Sequence, residues 1–278
     1  MSRSPKSRGA GGGPRSGETS KTPSGAGSKP RSADPAAPAV GGVGPYWRRS
    51  REPLQILVFV LPLAAVYEIG LLIASRGDWS QPRLLAYRKV EEAFEAMGLA
   101  TAGSALPAIL IVVAILAWQV LSRRSWKVHW PTTLVMAAES IALAFPLILF
   151  ATLLSSVAVP AQAADGGATP GVVGRVVMSV GAGLYEEFLF RWITIATIHA
   201  LLVDGLRVAD RTATGIAVVI SSGLFMIAHG SQEPMRMVFY FGSGVFFSLV
   251  YVLREFGVAA GTHVAYDVLV ELLAAFRA

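Results

Sequence analysis

Beyond Arg51 the sequence falls repeatedly into apolar runs of roughly 17 residues or more, the length an α-helix needs to cross a hydrocarbon layer of ~30 Å. Runs of this length leave a chain few options, because backbone amides inside a bilayer must be satisfied within their own segment. The expected fold is therefore all-α, a polytopic transmembrane helical bundle. Charge supports this: 15% of the 278 residues are Asp, Glu, Lys or Arg, against about a quarter in soluble domains. Cysteine is absent, which excludes disulfides and thiolate-ligated metal centres.

About seven spans are expected, near residues 53–75, 104–122, 133–159, 172–203, 213–230, 235–253 and 258–276. Residues 84–99 are charged and amphipathic and are expected to lie in the interface. Three regions follow: a disordered basic tail over 1–45, N-terminal membrane helices with the interfacial helix over 46–165, and a membrane core over 166–278. The tail is rich in Gly, Ser, Pro and Ala, lacks apolar periodicity, and contains no apolar stretch of the kind a cleavable signal peptide needs.

The net charge of +6 comes mainly from the N-terminal stretch, where residues 1–52 hold ten Lys or Arg against Glu18, Asp34 and Glu52. A basic segment before a first membrane helix reports topology and contact with anionic lipid, so no nucleic-acid partner is expected. The 123–127 loop carries three basic residues and no acid, whereas 160–174 carries no Lys or Arg. The bias places the N-terminus in the cytoplasm, in a bacterial-type plasma (inner) membrane. Tyr46 and Trp47, followed by Arg48, Arg49 and Arg51, read as an interfacial anchor.

Ionisable groups inside spans are costly and mark partners, cavities or function. Those expected within spans are Glu68, Glu139, Arg175, Glu186, Glu187, Arg191, His199, His229, His263, Asp267 and Glu271. Glu187 and Arg191 are four apart and share a helix face, so they can pair. Glu186 points about 100° away and lacks that partner. Phe225 and His229 are also four apart, as are His263 and Asp267. An antiparallel hairpin about residues 204–211 would bring Glu186 and His229 to similar depth. His263 is harder to reconcile, because it begins its helix while His229 ends a parallel one. The site closes if residues 230–234 dip into the membrane, or if the sixth span is short or tilted. Glu68 and Glu139 are lone acids, each able to neutralise Arg175 or face the cavity. His199 is expected to bond near its helix end, and His129, beside Trp126 and Trp130, to sit at the interface.

The ordered set Glu186-Glu187-x-x-x-Arg191, Phe225-x-x-x-His229 and His263-x-x-x-Asp267 resembles the CAAX protease and bacteriocin-processing (CPBP/ABI) family of intramembrane glutamic endopeptidases, related to the type II CAAX prenyl endopeptidase. Phe241-Gly242-x-Gly244 resembles the family's glycine-bearing helix. The resemblance spans about residues 170–275. It implies an endopeptidase for a membrane-associated protein or peptide, with Glu186 and His229 activating water. It further implies that His263 and Asp267 stabilise the oxyanion, while Glu187, Arg191 and Phe225 hold the geometry. An ionised Asp267 cannot donate a hydrogen bond, so it must be protonated, orient His263 or bind a cation.

No cofactor is expected from the resemblance. Glu186, His229, His263 and Asp267 also form an N/O set that zinc would accept, which leaves a metal-dependent version open. The absence of His-Glu-x-x-His weighs against it. A non-catalytic chaperone or assembly factor retaining the polar cavity is a further alternative. A proton-coupled carrier is disfavoured because no internal repeat is found.

Overall fold

The computed structural model describes residues 43–74, 106–154, 171–231 and 233–276. These form an all-α membrane bundle, with no strand among the described residues. The helices are α1 (Val43–Arg49), α2 (Pro53–Ala74), α3 (Leu106–Leu121), α4 (Trp130–Leu153), α5 (Val172–Gly205), α6 (Asp210–Ala228) and α7 (Pro234–Ala275). Five of them, α2, α4, α5, α6 and α7, are long and apolar enough to cross a membrane, and α3 is a shorter apolar helix. The expected interfacial helix over 84–99 and residues 1–42 of the expected tail lie outside the described residues, whereas 43–45, expected to be disordered, open α1.

The outer surface is what a bilayer requires. Ile69, Leu134, Leu149 and Leu153 stand more than half exposed on helix faces that water would not tolerate. Buried inside are Ile56, Val60, Tyr67, Ile111, Ile115, Leu184, Tyr185 and Phe256, which join α2, α3, α5 and α7 in one cluster.

Local chemistry sets several helix ends. Pro53 opens α2, whose first-turn amide at Leu54 donates to Gln119 Oε1 at 3.1 Å. The Gln119 amide group donates in turn to the carbonyls of Arg124 and Ser125, which ties the basic loop to α2. Gln55 accepts from the His129 amide and donates to Thr133, so the start of α4 is held at the same level. Glu233 caps α7, accepting from the amides of Met235 and Arg236 at 3.1 and 2.8 Å, with Pro234 in the first turn.

The sixth and seventh expected spans are two helices that meet at a kink, and they are labelled together as α7. The sequence led us to expect a connection near 254–257, and the structure confines it to one residue. Glu255 adopts φ 65° and ψ 176°, and the chain resumes helical geometry on both sides. A non-glycine residue in that region costs about 1–3 kcal/mol and persists where its surroundings over-determine it. The two limbs of α7 pack against α4, α5 and α6 and form the centre of the bundle.

Close approach to α7 relies on glycine. A Cβ added at Gly183 would lie 2.4 Å from the Val264 amide nitrogen, so α5 and the second limb touch backbone to backbone. At Gly261 the same atom would lie 2.5 Å from Ser140 Oγ on α4. Such contacts let packing substitute for the hydrophobic effect, which lipid does not supply between helices.

Candidate active site

Along α5 the hydrogen bonding widens to π-helical spacing over Glu187–Ile195. Single-turn π segments occur often at functional sites, because they shift side chains off the α-helical register. Here the change begins at the second glutamate of the pair. The loosened backbone finds other donors: Ser221 Oγ on α6 donates to the Phe190 carbonyl at 2.6 Å, and Thr194 Oγ1 to that of Leu189 at 2.8 Å.

The two acids are both buried and serve different partners. Glu187 is fully buried, lies 3.2 Å from Arg191 Nε, and has Oε1 2.8 Å from His263 Nδ1. A carboxylate can only accept, so this contact puts a hydrogen on Nδ1 and turns Nε2 of His263 towards Asp267 Oδ2, 3.5 Å away. Glu186 Oε2 lies 3.8 Å from His229 Nε2. That gap is too long for a hydrogen bond, and it fits a bridging water.

His229 is oriented by backbone. Its Nδ1 lies 2.8 Å from the Phe225 carbonyl, which can only accept, so Nδ1 carries the hydrogen and the neutral ring presents a lone pair at Nε2. Gly230 at φ 60° ends α6 one residue later and leaves His229 at the helix rim. Apolar rings fix both imidazoles. Tyr240 stacks on His229 with centroids 4.2 Å apart, and Phe247 stacks on His263 at 4.3 Å. The Arg191 guanidinium, wholly buried, sits 4.3 Å above the Phe225 ring.

The depth problem posed by the sequence is resolved by α7. Its second limb starts at Phe256, directly after the break, so His263 lies about two turns in. Glu187 meets it there, while Glu186 meets the last turn of α6. The site is thus stepped. The tier of Glu187, Arg191 and His263 is nearly sealed, and the tier of Glu186, His229 and Asp267 is more open, with the His229 and Asp267 side chains 15% and 22% exposed. Among the described residues no group of three or more His, Asp or Glu side chains is arranged to hold a metal ion.

The remaining charges find partners that correct the expectation for the lone acids. Arg175 pairs with Glu271 at 2.7 Å, not with Glu68 or Glu139. Glu68 accepts from the Tyr185 hydroxyl, and Glu139 binds Arg254 and Tyr46. Each of these partners lies more than 90 positions away in the chain, beyond the reach of periodicity. His199 pairs with Asp210 across the α5–α6 turn at 3.0 Å.

Tyr240 and Phe247 were not singled out from the sequence. Their seven-residue spacing, two turns on one face, was the available signal. Two adjoining apolar grooves of about 350 and 360 Å³ share Phe150 of α4 with Phe241 and Gly242 of the first limb of α7, and the first also reaches Met226 of α6.

Residues 168–269 match the family model described as type II CAAX prenyl endopeptidase Rce1-like. The matched stretch is just over a third of the 278 residues and contains all the side chains of the stepped site. It agrees with the resemblance carried by the three motifs, and at family level it indicates a CAAX-type protease acting in a membrane. No curated protein and no solved structure matches the chain.

Proposed function

We propose that the protein is an intramembrane endopeptidase that hydrolyses a peptide bond of a membrane-associated protein or peptide, using water activated by Glu186 and His229 without a metal. The observation that carries this reading is the 3.8 Å gap between Glu186 Oε2 and His229 Nε2. Both groups are acceptors in the tautomer that the Phe225 carbonyl selects, so a water between them donates both hydrogens and turns its lone pairs outward.

As the water oxygen attacks the scissile carbonyl carbon, its proton passes to Glu186. The carbonyl π pair moves onto oxygen, and the resulting oxyanion is stabilised by Nε2–H of a protonated His263. Collapse breaks the C–N bond, and Glu186 returns the proton to the leaving amine. Glu187 holds His263 through Nδ1, and Arg191 offsets the charge of Glu187. Asp267, beside Nε2, orients the imidazole. The basic N-terminal side is cytoplasmic in this reading, and the apolar grooves at Phe241 and Gly242 take the lipophilic part of the substrate.

The test is cleavage in the membranes of a deletion strain complemented with wild type or variants, read as new protein N-termini. Glu186→Gln, Glu186→Ala and His229→Ala are expected to abolish them while the protein still accumulates in the membrane. New termini at wild-type level in Glu186→Gln would overturn the mechanism. A deletion phenotype fully complemented by that variant would favour the chaperone reading instead.

A further inference from the structure

At the opposite end of the first limb of α7 from its capped start, a second polar cluster surrounds the break. Arg254, 3% exposed, immediately precedes Glu255. Its Nε and Nη2 donate to the two oxygens of Glu139 on α4, both at 2.7 Å, in a two-pronged grip. Nη2 also donates to Ser50 Oγ at 3.0 Å. The guanidinium lies 4.0 Å from the Trp47 ring and 5.1 Å from that of Tyr46, while the Tyr46 hydroxyl donates to Glu139. Arg51 donates to the Leu253 carbonyl, one of the acceptors left over where the first limb ends.

Five residues thus converge on one interruption: Tyr46 and Trp47 from α1, Ser50 and Arg51 from the α1–α2 link, and Glu139 from α4. Two limbs meet at that interruption. The first carries Tyr240 and Phe247, which stack on the two site histidines, and the second carries His263 and Asp267. The ring stacks between the limbs are non-directional and tolerate sliding. The Arg254–Glu139 fork is directional and fixes the backbone at the hinge itself.

We infer that Arg254 and Glu139 are positioning residues, a latch closed by α1 that sets the angle between the two limbs of α7 and so the spacing of His229 and His263. The catalytic consequence rests on the endopeptidase reading above. The positional one does not. Because α1 carries Tyr46, Trp47, Arg48 and Arg49, the latch also couples the site to the membrane-surface segment.

The chain contains no cysteine, so spin labels can be placed without removing any native residue. Met235→Cys and Leu273→Cys label exposed positions on the far ends of the two limbs. Inter-limb distances measured by double electron–electron resonance in lipid vesicles should be narrow in the otherwise native chain and in Glu186→Gln. They should broaden or shift in Arg254→Gln and Glu139→Gln, and partly recover in Arg254→Lys. Tyr46→Phe, which removes a single hydrogen bond, provides a mild variant should the others fail to fold.

Turnover is read separately on a quenched fluorogenic peptide with a farnesylated C-terminal CAAX sequence. A small misplacement of reacting groups costs about a hundredfold. The latch variants should lose about that factor in kcat with KM nearly unchanged. Native distance distributions in Arg254→Gln, Glu139→Gln and Tyr46→Phe would overturn the latch, as would altered distances with native kcat. Full turnover in Glu186→Gln would instead overturn the endopeptidase mechanism and leave the distance result standing.

Discussion

Glu186 and Glu187 are neighbours in the chain and serve different histidines, Glu186 lying 3.8 Å from His229 and Glu187 2.8 Å from His263. In a regular α-helix adjacent side chains diverge by about 100°. Residues 179–188 of α5 are buried on every side, so both acids stay inside although they point apart. In the proposed mechanism the pair divides the work: Glu186 exchanges protons, and Glu187 holds the protonated His263 through its Nδ1–H.

That division predicts a separable phenotype. Glu187→Gln keeps an acceptor near His263 but removes the charge that pairs with the protonated ring, so the neutral ring with its hydrogen on Nδ1 has no Nε2–H to offer the oxyanion. Turnover is expected to fall about 10²–10⁴-fold with KM little changed. Steady-state kinetics on the fluorogenic peptide measures this, and a rise in KM at native kcat would contradict it.

Arg191 makes a prediction about stability. Its guanidinium is wholly buried against Glu187 and the Phe225 ring. Arg191→Ala leaves a buried carboxylate uncompensated and should cost about 3–5 kcal/mol. Thermal unfolding in detergent should show the loss, and Arg191→Lys should recover only part of it, because the ammonium lacks the planar face.

Backbone contact at Gly183 leaves no room for a methyl group, since its Cβ would sit 2.4 Å from Val264 N. Gly183→Ala must push α5 away from the second limb of α7, one turn from the Glu187–His263 contact. A destabilisation of about 1–3 kcal/mol is expected, together with loss of turnover. Unfolding midpoints and cleavage rates measured side by side would show it.

Gly242 lines the apolar grooves with Phe150 and Phe241. A Cβ at Gly242 would lie 2.7 Å from the Phe150 ring, so the groove is filled instead from its exposed edge by Val238→Trp, away from the reacting groups. The expected outcome is a KM raised about tenfold for a farnesylated peptide at native kcat, the signature of lost uniform binding. A fall in kcat at native KM would exclude the grooves as a substrate seat.

Metal-independence is open to a direct check. Turnover by the purified protein should survive prolonged phenanthroline or EDTA treatment, with metal content followed by mass spectrometry. Loss of activity restored by zinc would contradict the metal-free mechanism.

The sequence alone carried the class of fold and the charged side chains that the structure gathers around α5 and α7. Apolar run length is a local property, and so is the four-residue spacing that pairs Glu187 with Arg191, Phe225 with His229, and His263 with Asp267. Each is readable because helical geometry acts within a few residues. Tertiary structure decided which member of one pair meets which member of another. Nothing within α5 announces that Glu187 takes His263, or that Glu139 takes Arg254 across 115 positions. Those partners are set by helix order, by glycines that permit backbone contact, and by a single-residue break at Glu255. A buried charge accepts whichever opposite group the packing delivers, so its partner is settled only when the helices come together.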